Sequence, residues 1–359
     1  MNLEIVLKQF LISNLWWLVS SLLIFFVITF FKKYFLVKYV LYEAKQRVHE
    51  GEVPRLGGLA IYLAMFISTV FFANEQLNEL FQLILVCILP IFVITLIEDI
   101  FHNTGVKLRL TSLILTSILL LNLTVNDWPS IENLGIISIA FESPFFNFLF
   151  FMFCLVALAN GCNFIDGMNG LLGMYTLGAI ICCLSLASIV GDTSMALSLF
   201  PLFVVIILFL LFNFPWGKLF LGDSGAYLVA MILGVWVINF FGKHTDISSW
   251  SAILIFFYPI AEIIYSVIRK IHQKKSPFYP DRFHLHLKVF DLLNINLKRT
   301  RVSNNLTTIF LSIFWLAPPL LIPWVYNSHI LIFFSTFMLS LCYISMNILM
   351  PNEAQKEIF

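Results

Sequence analysis

Acids, amides and histidines collect in a few short polar stretches of this chain, and their types and spacing suit phosphate and metal chemistry. Glu98-Asp99 places two carboxylates side by side at the end of an apolar run. Neighbouring carboxylates raise each other's pKa unless a cation neutralises them, so a metal ion or a bound cationic group would relieve the pair. Alone, the pair also reads as two solvated acids that stop a helix. A second stretch, residues 160–170, carries Asn160, Asn163, Asp166 and Asn169 at every third position. On a helix these four share one slowly drifting face. The glycines between them permit close backbone approach to a ligand or a break in the helix. A glycine-rich turn with capping side chains is the plainer alternative.

A third stretch, residues 217–225, holds a lone acid, Asp223, among glycines and beside Ser224. At a helix N-terminus this set suits Mg²⁺ and phosphate oxygens, or simply a capped helix start. The fourth, residues 276–286, alternates Arg282, His284 and His286. An extended chain would aim all three the same way. Arginine with histidine suits a phosphate or diphosphate, although the same residues also fit a loop at a lipid headgroup surface. The fifth runs from Arg47 and His49 through Arg55 to Gly57-Gly58. It reads as a cationic anchor followed by tight helix packing at the glycines, with His49 the residue least explained by anchoring. Together the stretches supply acids for a metal, amides for a polar ring or sugar, and cations for phosphate. An enzyme joining a soluble nucleotide-sugar to a lipid phosphate needs that inventory.

The elements that must position these residues are membrane helices. Of the 359 residues, 60% are apolar and 11% are charged, Phe alone occurring 39 times. A soluble domain carries about 25% charge, and the mean hydropathy of +0.94 points the same way. The net charge of +1 gives no bulk attraction to nucleic acid. Eleven apolar runs approach the about 20 residues a span requires: Leu11–Phe31, Leu56–Phe72, Phe81–Ile97, Leu110–Leu123, Phe145–Ala159, Leu171–Val190, Ala196–Phe212, Gly222–Phe241, Trp250–Ile268, Leu306–Val325 and Ile330–Leu349. The fourth and fifth are short. The first is too long for a cleaved signal peptide and has no small-residue cleavage site.

Lys and Arg fall almost wholly in one alternating set of connections, which contains residues 32–55, Lys107, Arg109, Lys218 and residues 269–301. By the positive-inside rule that set is cytoplasmic, the N-terminus outside and the C-terminus inside. All the polar stretches then share the cytoplasmic face. The outer connection 122–144 has no Lys or Arg, and its residues 136–139 suit a small hairpin. The six cysteines lack metal-ligand spacing and read as small core residues. The expected fold is an all-α polytopic bundle of 10–11 transmembrane helices, one domain over residues 1–359.

The residues quoted above resemble the motifs of the polyprenyl-phosphate N-acetylhexosamine-1-phosphate transferases, in the same order, from Arg47 to His286. The asparagine-rich stretch and the Phe-Leu-Gly-Asp-Ser-Gly stretch are the specific ones. The Ser-Pro-Phe-Tyr-Pro-Asp-Arg-Phe-His-Leu-His stretch looks more like the O-antigen and teichoic-acid branch than the peptidoglycan branch. The resemblance implies transfer of a sugar-1-phosphate from a UDP-N-acetylhexosamine to undecaprenyl phosphate, with release of UMP, at the bacterial inner membrane. It implies Mg²⁺ held by Asp223, with Mn²⁺ an acceptable substitute, and Asp99 acting toward the lipid phosphate. Glu98 stands where relatives carry Asp. Asn160, Asn163, Asp166 and Asn169 would line the nucleotide-sugar site, with Asn169 replacing a common Asp. Phe220 would pack on uracil. Arg282, His284 and His286 would bind phosphate oxygens, with Arg47 and His49 as further substrate contacts, and Leu287 stands where some relatives have a third histidine. A homodimer is compatible with this picture.

Two rival readings draw on the same residues. A carrier for lipid-linked sugars would place ionisable groups near the bilayer midplane. Glu262, after Pro259, is the acid well inside a span, and helix packing or a hydrogen bond explains one acid more simply. A non-catalytic scaffold would leave the clustered acids strained. The identity of the sugar is not encoded legibly.

Overall fold

The computed structural model describes residues 15–30, 53–71, 75–131, 135–276 and 283–350. Arg47, His49 and Arg282 lie outside the described residues, so their expected roles have no structural counterpart here. Among the described residues there is no strand. Each of the eleven apolar runs carries a helix. Among the described residues, eight helices are long and apolar enough to cross a membrane, and two more, Trp17–Phe30 and Gly57–Thr69, are apolar but shorter.

The helices run in chain order as α1 (Leu15–Phe30), α2 (Gly57–Phe71), α3 (Glu75–Phe101), α4 (Val106–Thr124), α5 (Pro144–Ile165), α6 (Leu171–Ile189), α7 (Thr193–Asn213), α8 (Gly222–Lys243), α9 (Ser251–Ile255), α10 (Phe257–His272), α11 (Leu285–Leu297), α12 (Thr300–Phe310), α13 (Ile313–Val325) and α14 (His329–Leu349). The two runs that looked short are full spans. α4 continues back through Arg109 and Lys107, and α5 continues on through Asn160 and Asn163. Hydropathy falls where polar chemistry begins, but backbone hydrogen bonding carries the helix past that point.

The ninth run is broken into α9 and α10 at Phe256. Pro259 has no N–H to give the carbonyl of Ile255, so the ladder cannot pass through. α10 restarts at Phe257, where a proline in the first turn costs nothing, and ends on Arg269, Lys270 and His272. The hairpin expected at residues 136–139 is instead a 3₁₀ segment, Gly135–Glu142. Phe141 of that segment packs edge-on against Phe146 and Phe150 of α5. Ring packing onto a neighbouring helix satisfies this apolar stretch without a strand partner.

α8 is the axis of the bundle. It is buried almost end to end and packs against α2, α3, α4, α5 and α6. A helix that is apolar all round belongs in the centre. Its N-terminal turn is also where small residues allow the closest approach. Gly57 N–H donates to Phe220 O and Gly58 N–H to Leu221 O, both at 2.8 Å, while Phe220 N–H donates to Pro54 O at 2.9 Å. A side chain on Gly58 would strike the backbone of Gly225. The segment before α2 is thereby tied to the start of α8. Four of the six cysteines are buried and all six are free thiols, in keeping with packing.

Candidate active site

The start of α8 collects groups from four other elements. Asp99, in the last turn of α3, is 1% exposed. Its Oδ1 accepts from the Asp223 N–H at 2.8 Å, and its Oδ2 accepts from the Ser224 N–H at 2.8 Å and the Ser224 hydroxyl at 2.7 Å. Helix N-termini leave amides without intrahelical partners, and a carboxylate satisfies them while meeting the positive end of the dipole. Gly222 permits the approach. Its φ of +78° is a left-handed conformation, and a Cβ there would lie 2.6 Å from Asp99 Oδ2.

Asp223 turns the other way and takes two arginines. Arg55 Nη2 donates to Oδ1 and Arg109 Nη1 to Oδ2, both at 2.8 Å. Arg55 also spans to Asp99, with Nε 3.3 Å from Oδ1. Asp166, the C-cap residue of α5, completes the group. Burial of its carboxyl, together with the charges of Asp223 and Asp99, pushes its pKa up to about 7 against the opposing pull of Arg55 and the Gly222 amide. Three carboxylates and two guanidiniums therefore converge on one helix N-terminus.

Glu98 is not in that group. Its Oε2 accepts from the N–H and the hydroxyl of Thr104, at 2.7 and 2.6 Å, and so secures the turn between α3 and α4. Nearby His102 is held below the usual imidazole range by burial and by Arg55.

The asparagine stretch divides. Asn160 and Asn163 sit on the last turns of α5, Asp166 caps it, and Asn169 lies in the following turn, so the four do not share a helix face. Asn160 Oδ1 accepts from the Tyr227 hydroxyl of α8 at 3.2 Å, and Asn163 lies beside the same phenol. Asn169 is 3% exposed and faces α12. Its N–H donates to Asn304 Oδ1 at 2.7 Å, its Nδ2 donates to Asn305 Oδ1 at 3.1 Å, and its carbonyl accepts from Thr308 at 2.6 Å. Phe220 is partly buried, its backbone paired with residues 54–57.

The histidines reach the site from the far side of this stretch. They do not alternate on a strand: His284 is the extended N-cap of α11 and His286 lies in its first turn. Their rings nevertheless stack, with centroids 5.7 Å apart and planes 10° from parallel. Phe164 lies 5.0 Å from the His284 ring. Burial drives the His286 imidazole down to about 3. A side chain at Gly167 would collide with the His286 ring. Asp166 therefore faces the α8 turn, and its neighbour Gly167 admits the histidine cluster. That adjacency joins the third and fourth polar stretches.

Several members of the site were not legible as such. Arg55 and Arg109 look like positive-inside anchors in sequence, and only the fold brings both onto Asp223. Glu262 stood out as a buried acid, but its partner lies in another element.

The site defines a polytopic membrane protein with an acid and guanidinium cluster at one end of its central helix. Comparison with known proteins agrees. The sequence profile of Glycosyl transferase family 4 matches residues 81–241, the stretch that contains Asp99, Asp166 and Asp223. The undecaprenyl-phosphate alpha-N-acetylglucosaminyl 1-phosphate transferase of Thermotoga maritima is 28% identical over 67% of this chain and 69% of its own length. The protein of the same name from Escherichia coli K12 is 28% identical over 66% of this chain and 65% of its own length. The decaprenyl-phosphate N-acetylglucosaminephosphotransferase of Mycobacterium leprae is 27% identical over 70% of each chain. The alignments thus span about two thirds of these relatives. The chain is thus similar over residues 81–241 to Glycosyl transferase family 4, and the relatives it resembles are named as polyprenyl-phosphate N-acetylglucosamine-1-phosphate transferases.

Proposed function

We propose that this protein transfers a sugar-1-phosphate, of the N-acetylhexosamine type, from a UDP-sugar to undecaprenyl phosphate and releases UMP. The observation that carries this reading is the convergence of Asp99, Asp166, Asp223, Arg55 and Arg109 on the N-terminal turn of α8. Phosphoryl transfer is mostly positioning and neutralisation of charge. A helix N-terminus flanked by two guanidiniums supplies both to phosphate oxygens.

The donor set also suits a hard divalent cation. Among the described residues, no three His, Cys, Asp or Glu side chains form a metal cage. Mg²⁺ does not need one, since it is commonly held by one or two carboxylates with phosphate oxygens and water. Asp223 and Asp166 are the residues that would hold it, and Mn²⁺ takes the same ligands. The ion would neutralise charge on the diphosphate. Arg55 and Arg109, which bind Asp223, are the guanidiniums that would meet phosphate oxygens. Asp99 keeps the α8 turn in position beside the lipid phosphate. His284 and His286 approach from the opposite side, beside Phe164.

The membrane is the bacterial inner membrane, with this face cytoplasmic, and the product would start a lipid-linked envelope polysaccharide such as O-antigen. Glu262, the acid a carrier would use, is engaged by the histidine segment. The test is purified protein with Mg²⁺, undecaprenyl phosphate and a panel of UDP-sugars, with UMP release as the readout. One UDP-N-acetylhexosamine should give lipid-dependent UMP that chelator abolishes and that Asp223→Asn loses. Lipid-independent release, full turnover in chelator, or full turnover by Asp223→Asn overturns the reading.

A further inference from the structure

Glu262 sits on α10, 1% exposed, among the buried residues Phe257, Tyr258, Pro259, Ser266 and Lys270 of the same helix. Both of its oxygens are spent on one two-residue segment. Oε2 is 3.1 Å from His284 Nδ1, and Oε1 accepts from the Leu285 N–H at 2.9 Å. His284 is the N-cap of α11, so Leu285 carries one of the amides that this helix leaves unpaired. A carboxylate gripping a backbone amide and the adjacent ring leaves that ring little rotational freedom. Phe164 and His286 then bracket the ring at 5.0 and 5.7 Å.

We propose that Glu262 is a positioning residue for the transfer reaction, fixing the proton of His284 on Nδ1 so that Nε2 meets a phosphate oxygen of the substrate. The inference rests on the functional reading above and adds to it a residue outside the polar loops. The physical basis is the orienting carboxylate: the hydrogen bond made by one ring nitrogen decides the state and direction of the other. With Nδ1–H donated to Glu262, Nε2 donates to phosphate whenever the ring carries both protons.

A second feature excludes a purely structural filler. A buried carboxylate is costly unless it is paired and hydrogen bonded, and a glutamine would satisfy a helix cap without that cost. Glutamine cannot accept at both contacts, because its amide offers one acceptor oxygen and one donor nitrogen, Nε2, which facing Nδ1 would select the opposite tautomer of His284. The surrounding titratable groups are His286 and Lys288 on α11, Arg269 and Lys270 on α10, Tyr258 on α10 and Tyr343 on α14. Glu262 is the carboxylate among them, so its charge is the one that sets the ring.

The experiment is a double-mutant cycle in UMP release, using full-length protein with Mg²⁺, undecaprenyl phosphate and the accepted UDP-sugar across pH 5.5 to 9. Glu262→Gln should lower kcat/KM by about 10–100-fold, the usual range for loss of an orienting partner. It should also move the basic limb of the profile to lower pH. In a His284→Gln background the same change should have no further effect. Glu262→Asp, which keeps the charge at shorter reach, should recover part of the loss and the wild-type limb. Additive losses, or a uniform drop with an unmoved pH profile, would overturn the positioning role and leave the transferase reading intact. Wild-type protein that releases no UMP with any UDP-sugar would overturn the transferase reading, and this role with it. If Glu262→Gln fails to accumulate in the membrane, Glu262→Asp carries the cycle instead: its partial loss of kcat/KM should vanish in the His284→Gln background, and a loss that persists there would overturn the positioning role.

Discussion

The carboxylate of Asp99 closes the first turn of α8 by accepting from the backbone amides of Asp223 and Ser224, each at 2.8 Å, across a separation of 124 residues for the first pair. The acid that ends one membrane helix is thus the cap of another. Its neighbour Glu98 points away and holds Thr104. Two acids adjacent in sequence therefore have different duties, and their variants should separate.

Asp99→Asn replaces one acceptor oxygen by a donor that faces backbone amides. Leaving a buried donor unmatched costs roughly 1–3 kcal/mol, and the charge facing the helix terminus is lost as well. UMP release should become undetectable, whereas Glu98→Gln should reduce it by about 10–100-fold. Glu98→Asp should remain active. Single-turnover UMP release at saturating Mg²⁺ checks all three, and a dead Glu98→Gln with an active Asp99→Asn would reverse the two roles.

Gly222→Ala should damage the site as severely as loss of an acid. The added Cβ would sit 2.6 Å from Asp99 Oδ2 in a backbone conformation of φ +78°. L-residues adopt that region at a cost of about 1–2 kcal/mol, and the clash comes in addition. The expected outcome is protein that reaches the membrane but has lost UMP release. Gly105→Ala is the control, because a Cβ at Gly105 meets nothing within 4 Å.

At the other end of α8, Asp192 binds Lys243 Nζ at 2.6 Å and His244 Nε2 at 2.8 Å, joining the α6–α7 turn to the end of α8. Burial works against its charge, but the hydrogen bonds from Lys243, the Met195 amide and His244 prevail and hold its carboxyl at about 2. An unfolded aspartate titrates near ~3.9. The folded value is the lower one, so this contribution to stability is complete above about pH 4 and is lost as pH falls toward about 2. Asp192→Asn should therefore lower Tm in detergent at pH 6, and the difference from wild type should shrink as the pH approaches 3. A difference that persists unchanged at pH 3 would assign the loss to packing.

The Lys and Arg pattern sets the remaining prediction. Reporter fusions after Ser130 and after Pro280 should report opposite sides of the membrane, with position 280 cytoplasmic. Both on one side would refute the orientation.

The sequence by itself determined the class of the molecule. Eleven apolar runs and so few charges leave the chain no soluble solution, because backbone polar groups in lipid must be satisfied within helices. It also marked Asp99, Asp166, Asp223, His284 and His286 as the residues with chemistry to do, since polar groups between spans are costly without a task. It did not determine which of them meet. Asp99 and Asp223 touch because Gly57, Gly58, Gly222 and Gly225 let three helix ends close on one another, and steric fit between distant segments has no local signature. Arg55 and Arg109 were read as anchors because charge counts give side of membrane but not partner. Asn169 was expected on the face of Asn160, and the end of α5 at Ile165 instead sends it to α12. Glu262 was visible as an anomaly, and only the approach of the α11 N-terminus to α10 supplied His284 as its partner. Local pattern reports what a residue can do, whereas the contacts that select one role among several are made by elements far apart in the chain.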